Sequence, residues 1–249
     1  MSALYTEQRG RGRTAIVFIH GNTGSTRWWH PAMAALAAEF AMTAVDLRGF
    51  GRSPDGDATV TLAGHAADVA ATAAALGLDK FIFVGHSLGG GVAMEFAARY
   101  PQRLTGLVLV DPVPLGGLKG VDYGLLERSI ANGWMVPGLK ATMVQPVAAD
   151  YFATLAEDCL RSLPAVIANT RALEAADFTA VAPLFAKPVL VVHGEKDPLV
   201  PLAESEKTAA AYPQAVLAVI AAAGHCPQVE QPEEFARRLR EFANLLQEG

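Results

Sequence analysis

A serine framed by two glycines, Gly85-His86-Ser87-Leu88-Gly89, constrains this chain more than any other stretch. It lies between an apolar run, Phe81 to Val84, that reads as a strand and a helical pattern from Leu88 to Tyr100, before Pro101. A serine in G-x-S-x-G between a strand and a helix sits on a sharp turn, with strained backbone and its hydroxyl projecting above the sheet. The flanking positions must lack bulky side chains so that strand and helix can pass close together. The turn also aims a helix N-terminus at the hydroxyl, where free N–H groups and the helix dipole favour developing negative charge. Gly90 and Gly91 open the helix as well, although each weakens it by about 1 kcal/mol relative to Ala. That cost suits a helix pressed against its neighbours. The alternative, a tight glycine turn and nothing more, fits the strand–turn–helix context less well.

The rest of the chain supplies the sheet. Ala15 to Ile19 is a continuous apolar run, as expected of a strand buried on both faces. It ends in the turn-rich His20-Gly21-Asn22-Thr23-Gly24-Ser25, followed by Trp28, Trp29, His30 and a helix starting near Pro31. Met42 to Val45 is the next strand, stopping at Asp46-Leu47-Arg48-Gly49-Phe50-Gly51-Arg52-Ser53. Leu62, Ala66, Val69, Ala73 and Leu76 form a helical stripe, and Leu107 to Val110 a strand closing at Asp111-Pro112. Roughly 70 residues then show helical stretches broken by prolines and no strand, too long for an ordinary loop. Residues 113–183 therefore read as a helical subdomain inserted into a core of residues 1–112 and 184–249. Alternation resumes with Pro188 to His193, a helix over Ala203 to Tyr212, the strand Ala215 to Ile220, and a last helix from Pro232 to Leu246. Buried strands alternating with helices mean an α/β protein, with a mostly parallel sheet covered on both faces.

Composition narrows the function classes. With 249 residues, 51% hydrophobic and 18% charged, the chain is globular and rather apolar. A net charge of −5 and the lack of any Lys/Arg run argue against nucleic acid and an anionic membrane surface. Two cysteines, Cys159 and Cys226, are too few for a disulfide framework and fit a reducing compartment. No charged-then-apolar leader and no apolar stretch of membrane-spanning length are visible, so a cytoplasmic location is expected.

A serine hydroxyl needs a base to become a nucleophile. Of six histidines, His20 and His193 end strands and are expected to hydrogen-bond backbone there. His86 lies beside the serine, His65 on a helix, and His30 could line a pocket. His225, in Ala221-Ala222-Ala223-Gly224-His225-Cys226-Pro227, follows the last strand, at the sheet's C-terminal edge where active sites gather. It is the expected base. For the carboxylate that orients it, Asp197 follows the neighbouring strand and is preferred, with Asp111 the fallback and Glu195 a solvated turn residue. The order Ser, Asp, His is then the hydrolase order. Two N–H donors are needed for the oxyanion. The amides of Leu88, at the helix start, and Asn22, in the turn after His20-Gly21, are the candidates.

Five motifs together carry a resemblance: His20-Gly21; Asp46-x-Arg48-Gly49-x-Gly51-x-Ser53; Gly85-His86-Ser87-Leu88-Gly89-Gly90; Gly194-x-x-Asp197-x-x-Val200-Pro201; and Gly224-His225-x-Pro227-x-x-Glu230-x-Pro232. In this order the chain resembles the α/β-hydrolase superfamily, in its small bacterial esterase, lactonase and C–C hydrolase branch. The resemblance implies an eight-stranded sheet, a helical cap after the sixth strand and no cofactor. It implies Ser87, Asp197 and His225 as triad, Asn22 and Leu88 as oxyanion donors, and Asp46, Arg48, Gly49, Gly51 and Glu230 as scaffold. The short N-terminus departs from the pattern and leaves seven or eight strands expected.

Trp28, Trp29, Trp134, Met135, Met143, Val144, Tyr151 and Phe152 are candidates for an apolar substrate pocket, although each alone is more often a packing residue. Arg128 and Arg161 in the insertion read as solvated. The expected activity is hydrolysis of a carboxylic ester or lactone of a small to medium apolar molecule, without a metal. Cleavage of a C–C bond in a ring-fission dienoate ranks lower, because Asn22-Thr23-Gly24-Ser25 lacks the proline of that branch. Cofactor-free perhydrolase or haloperoxidase activity and a hydrolase-like ligand receptor are the remaining alternatives. The oligomeric state stays unassigned.

Overall fold

A computed structural model describes residues 4–54 and 60–248; residues 1–3 of the opening segment, 55–59 and 249 lie outside it. Its strands are β1 (Thr6–Arg9), β2 (Ala15–Ile19), β3 (Ala41–Val45), β4 (Phe81–His86), β5 (Leu104–Val110), β6 (Val189–Gly194) and β7 (Ala215–Ile220). The helices are α1 (His30–Leu36), α2 (Leu62–Ala75), α3 (Leu88–Arg99), α4 (Tyr123–Ala131), α5 (Met135–Ala141), α6 (Ala149–Glu174), α7 (Leu202–Ala211), α8 (Pro227–Glu230) and α9 (Pro232–Glu248). The strands form one sheet in the order β1-β3-β2-β4-β5-β6-β7. Only β1 is antiparallel, pairing with β3.

Alternation within each apolar strand divides the core in two, because successive side chains point to opposite faces. Val17, Ile19, Phe81, Phe83, Leu107 and Leu109 pack under α2 and α3. Ile16, Phe18, Ile82, Val84, Val108 and Val110 pack under α1 and α9. Of the apolar stripe Phe235, Leu239, Phe242 and Leu246 expected of α9, the first three are buried and Leu246 is partly buried. The stripe of α2 stops one residue early: the helix ends at Ala75, and Leu76 is left exposed.

The N-terminal segment supplies one strand, so the helical insertion follows the fifth described strand, the sixth position of the eight-strand pattern. Pro146 falls in the break between α5 and α6, as expected, but Pro164 breaks nothing. α6 runs for 26 residues through Pro164. A proline inside a helix removes one hydrogen bond at a cost of about 3 kcal/mol, and α6 has contacts on both sides that offset it. Asp158 accepts from Ser25 Oγ at 2.6 Å, and Asn169 Oδ1 lies 2.7 Å from His65 Nε2, each tying the helix to the core.

Candidate active site

Strand order reverses direction between β2 and β4, and in open parallel sheets the crevice outside the C-terminal ends at such a point is where ligands bind. His20-Gly21-Asn22 leaves β2 there and His86-Ser87-Leu88 leaves β4. Ser87 has φ 52 and ψ −113, a left-handed backbone rare for a residue with a side chain. Two glycines make this turn possible. A Cβ on Gly85 would stand 2.1 Å from the carbonyl oxygen of Gly89, and one on Gly89 2.3 Å from that of Ile19. The Ser87 amide is tied to the Val110 carbonyl at 3.0 Å, and its carbonyl receives the Gly90 amide at 2.9 Å, so the backbone is held while the partly exposed side chain is not. Among the described residues the Ser87 hydroxyl has no hydrogen-bonding partner.

The small residues after β7 bring His225 to the same edge. Its Nδ1 donates to Asp197 Oδ2 at 2.7 Å. Asp197 Oδ1 accepts the amides of Leu199 at 2.7 Å and Val200 at 3.1 Å. Burial alone would raise the Asp197 carboxyl, but His225 and these amides outweigh it and hold the group at about 2. The His225 ring centroid lies 5.0 Å from that of His86, the residue before Ser87.

The other histidines take structural positions. His20 receives the Leu47 amide on Nε2 at 3.0 Å and donates from Nδ1 to the Gly21 carbonyl at 2.8 Å. Burial lowers it to about 4, so it stays neutral. His193 hydrogen-bonds the backbone of Val200, as expected of it, and its Nδ1 also pairs with the Ser205 hydroxyl at 2.8 Å. His30 stands on the surface, its Nε2 facing Glu7 at 2.5 Å. Glu195 is a turn residue whose Oε2 accepts the Ala222 amide at 3.0 Å.

Glu230 is buried and collects backbone amides from two segments. It accepts from Val144 at 2.7 Å and Gln145 at 2.9 Å in the insertion, and from Gly224 at 3.0 Å and Cys226 at 3.1 Å beside His225. The His225 amide in turn donates to the Thr142 carbonyl at 2.9 Å. On the opposite side, Arg27 and Asp158 form an ion pair with Asp158 fully buried, and Tyr151 donates to the Arg27 carbonyl at 2.9 Å. The Asn22 side chain reaches Thr170 Oγ1 at 3.1 Å. Asp46 accepts the amides of Thr26 and Arg52, and Arg48 pairs with Asp68, which pins the loops after β2 and β3. Reading the sequence missed Arg27, Asp158 and Thr142. Their partners lie more than 80 residues away in the chain, and no local pattern marks them.

The aromatic candidates separate. Trp28 is buried against Leu139, Leu155 and Cys159 and stacks on His86 with ring centroids 5.9 Å apart. Met135, Met143, Tyr151 and Phe152 pack against that same cluster. Trp29 belongs to the opposite core, its ring centroid 4.9 Å from that of Phe18, on the sheet face that α1 and α9 cover. Trp134 caps α5 and is 52% exposed, outside the cluster. Met143, Val144, Val147 and Phe152, with Lys140, also line a cavity of about 480 Å³ on the insertion. No helix of the described residues is long and apolar enough to cross a membrane.

Comparison with known proteins agrees with this architecture. A model of the alpha/beta hydrolase family matches residues 16–238. The protein named "Putative carbamate hydrolase RutD" from Shigella flexneri serotype 5b (strain 8401) is 31% identical, over 93% of this chain and 92% of its own. Among solved structures, a thermophilic esterase from Thermogutta terrifontis is 28% identical with a TM-score of 0.86, covering 98% of this chain and 93% of that one. Est816, named as an N-acyl homoserine lactone degrading enzyme, is 27% identical with a TM-score of 0.80, covering 96% of both.

Proposed function

Because this chain belongs to the alpha/beta hydrolase family, we propose that it is a serine hydrolase that cleaves a carboxylic ester or lactone through an acyl-enzyme. The observation that carries this reading is Ser87, strained at φ 52 in the switch-point crevice, with the 2.7 Å Asp197–His225 pair on the same edge of the sheet.

In this scheme the Nδ1–H of His225 is spent on Asp197, which leaves Nε2 with a lone pair. Nε2 takes the Ser87 proton as Oγ attacks the substrate carbonyl carbon. The contact between them closes as substrate binds, as catalytic hydrogen bonds commonly do. The amides of Asn22 and Leu88 hold the oxyanion, the second reinforced by the N-terminus of α3. Collapse of the tetrahedral intermediate breaks the C–O bond, and the alcohol leaves with the proton that His225 carries. Water then attacks the acyl-enzyme with His225 again as base, releasing the acid and restoring Ser87. Residues 113–183 act as the cap, and Trp28, Met135, Met143, Tyr151 and Phe152 give the substrate side an apolar wall.

A carbamate is the second reading, supported by the 31% identical relative. Its carbonyl carries nitrogen on one side, but the attack and the oxyanion are the same. A panel of p-nitrophenyl esters of increasing chain length, acyl lactones and aryl carbamates ranks the substrate classes by kcat/KM. Ser87→Ala should abolish turnover of every active member and labelling by an organophosphonate. Undiminished turnover by that variant refutes the assignment.

A further inference from the structure

Behind Asp197 lies a second buried carboxyl that the reaction scheme does not use. Asp111 follows β5, is wholly inaccessible to solvent, and has φ 39, a conformation an aspartate tolerates better than most side chains. Its Oδ1 accepts the Gly194 amide at 2.9 Å. Its Oδ2 is buried and has no hydrogen-bond donor among the described residues. One ligand atom each of Asp111, Asp197 and His193 lie within 4.8 Å of one another.

The groups facing Asp111 are Asp197 from the turn after β6, His193 from β6, Glu230 from α8 and the Cys226 thiol from the loop before it. None supplies a positive charge. His193 Nδ1 is 3.2 Å from Asp111 Oδ1, but it is already engaged by Ser205, and burial lowers its basicity so that the ring is neutral. Burial and the neighbouring Asp197 charge push the Asp111 carboxyl well above its ordinary value of 3.8. Two close carboxyls in a dry site do not both ionise. The negative charge falls to Asp197, which has His225, Leu199 and Val200 as donors, where Asp111 has one amide. A cation would need the same atoms. The oxygens of Asp197 already receive three donors, and a single proton satisfies the orphaned oxygen of Asp111.

We propose that Asp111 is a positioning residue that keeps its proton in the folded protein and donates it to Asp197, holding that carboxylate in place against His225. Its catalytic consequence rests on the serine-hydrolase reading; its protonation state does not.

Asp111→Asn reproduces a neutral group with both a donor and an acceptor, while Asp111→Leu keeps the bulk and deletes the donor. The Asn variant should retain kcat/KM within about threefold, and the Leu variant should lose about tenfold or more in kcat with KM little changed. A large loss on Asp111→Asn means that the charge is required and overturns the proposal.

The second readout needs no catalysis. In the wild type the carboxyl ionises on unfolding but stays neutral when folded, so folding stability drains away as pH rises above the ordinary carboxylate range. The Asn variant lacks this loss. Its Tm should therefore gain on the wild type as pH goes from about 4 to about 7, and a constant difference overturns the proposal. If Asp111→Asn does not fold, carboxyl-selective ¹³C NMR of the wild type decides: one aspartate must stay protonated at neutral pH, and a spectrum with all ionised overturns it. Stoichiometric metal bound by the purified protein also overturns it. Should Ser87→Ala retain activity, the hydrolase reading fails while the Tm and NMR results still decide the proton on Asp111.

Discussion

His86 donates from Nε2 to the main-chain carbonyl of His225 at 2.8 Å, so the residue before the serine holds the loop carrying the proposed base. Burial drives His86 down to about 3, so the ring is neutral at any working pH and the Nε2–H tautomer is set by this bond. Trp28 stacks on its face, with the two planes 29° apart.

Replacing His86 by Phe keeps a ring against Trp28 but deletes the donor. The His225 carbonyl is then buried and unpaired, which should cost about 1–3 kcal/mol in denaturant unfolding. Loosening the His225 loop should lower kcat by about tenfold or more in p-nitrophenyl ester assays. An unchanged kcat means that the loop is held by its other contacts.

Asp197→Asn tests the orienting carboxylate. The amide offers His225 Nδ1 a donor as readily as an acceptor, and the wrong tautomer should reduce kcat by about 10⁴. A loss below tenfold rules Asp197 out of the proton path.

The same group sets an acid limit on stability. A carboxyl held at about 2 against an ordinary 3.8 stabilises the fold fully above the ordinary value and loses that contribution as pH falls toward about 2. The contribution amounts to about 2 kcal/mol. Urea unfolding between about pH 4 and pH 2 should therefore be steeper in pH for the wild type than for Asp197→Asn, whereas parallel curves contradict it.

Glu230 joins the insertion to the His225 loop through the amides of Val144 and Gly224. Glu230→Ala strands several buried N–H groups and should destabilise by about 3 kcal/mol or more. Activity should fall with it, and hydrogen exchange should rise in both segments, 142–145 and 224–226, together. Exchange confined to one segment argues against the coupling.

Gly89→Ala probes the close approach of α3 to β2. A methyl group 2.3 Å from the Ile19 carbonyl oxygen cannot be accommodated without moving backbone. Labelling of Ser87 by an organophosphonate should fail or slow by about 10²-fold, because an ångström of displacement is enough to misalign the attack. Wild-type labelling rates rule out a rigid turn.

Much of the fold is legible in local pattern. Short apolar runs bounded by turn residues, such as Ala15–Ile19 and Phe81–Val84, read as buried strands, and helical stripes such as that of α9 need a sheet face to cover. Glycines at 85 and 89 mark a turn where no Cβ fits, and the serine between them is the nucleophile expected there. These are properties of a few consecutive residues, so the chain carries them without help. Which of the two aspartates after β5 and β6 meets His225, and that α6 runs unbroken through Pro164, depend on groups brought together from distant segments. So do the burial of Trp29 away from the insertion and the linkage of Glu230 to residues 144 and 224. Each is settled by packing and by the need to satisfy buried polar groups, terms that exist only after the sheet has assembled.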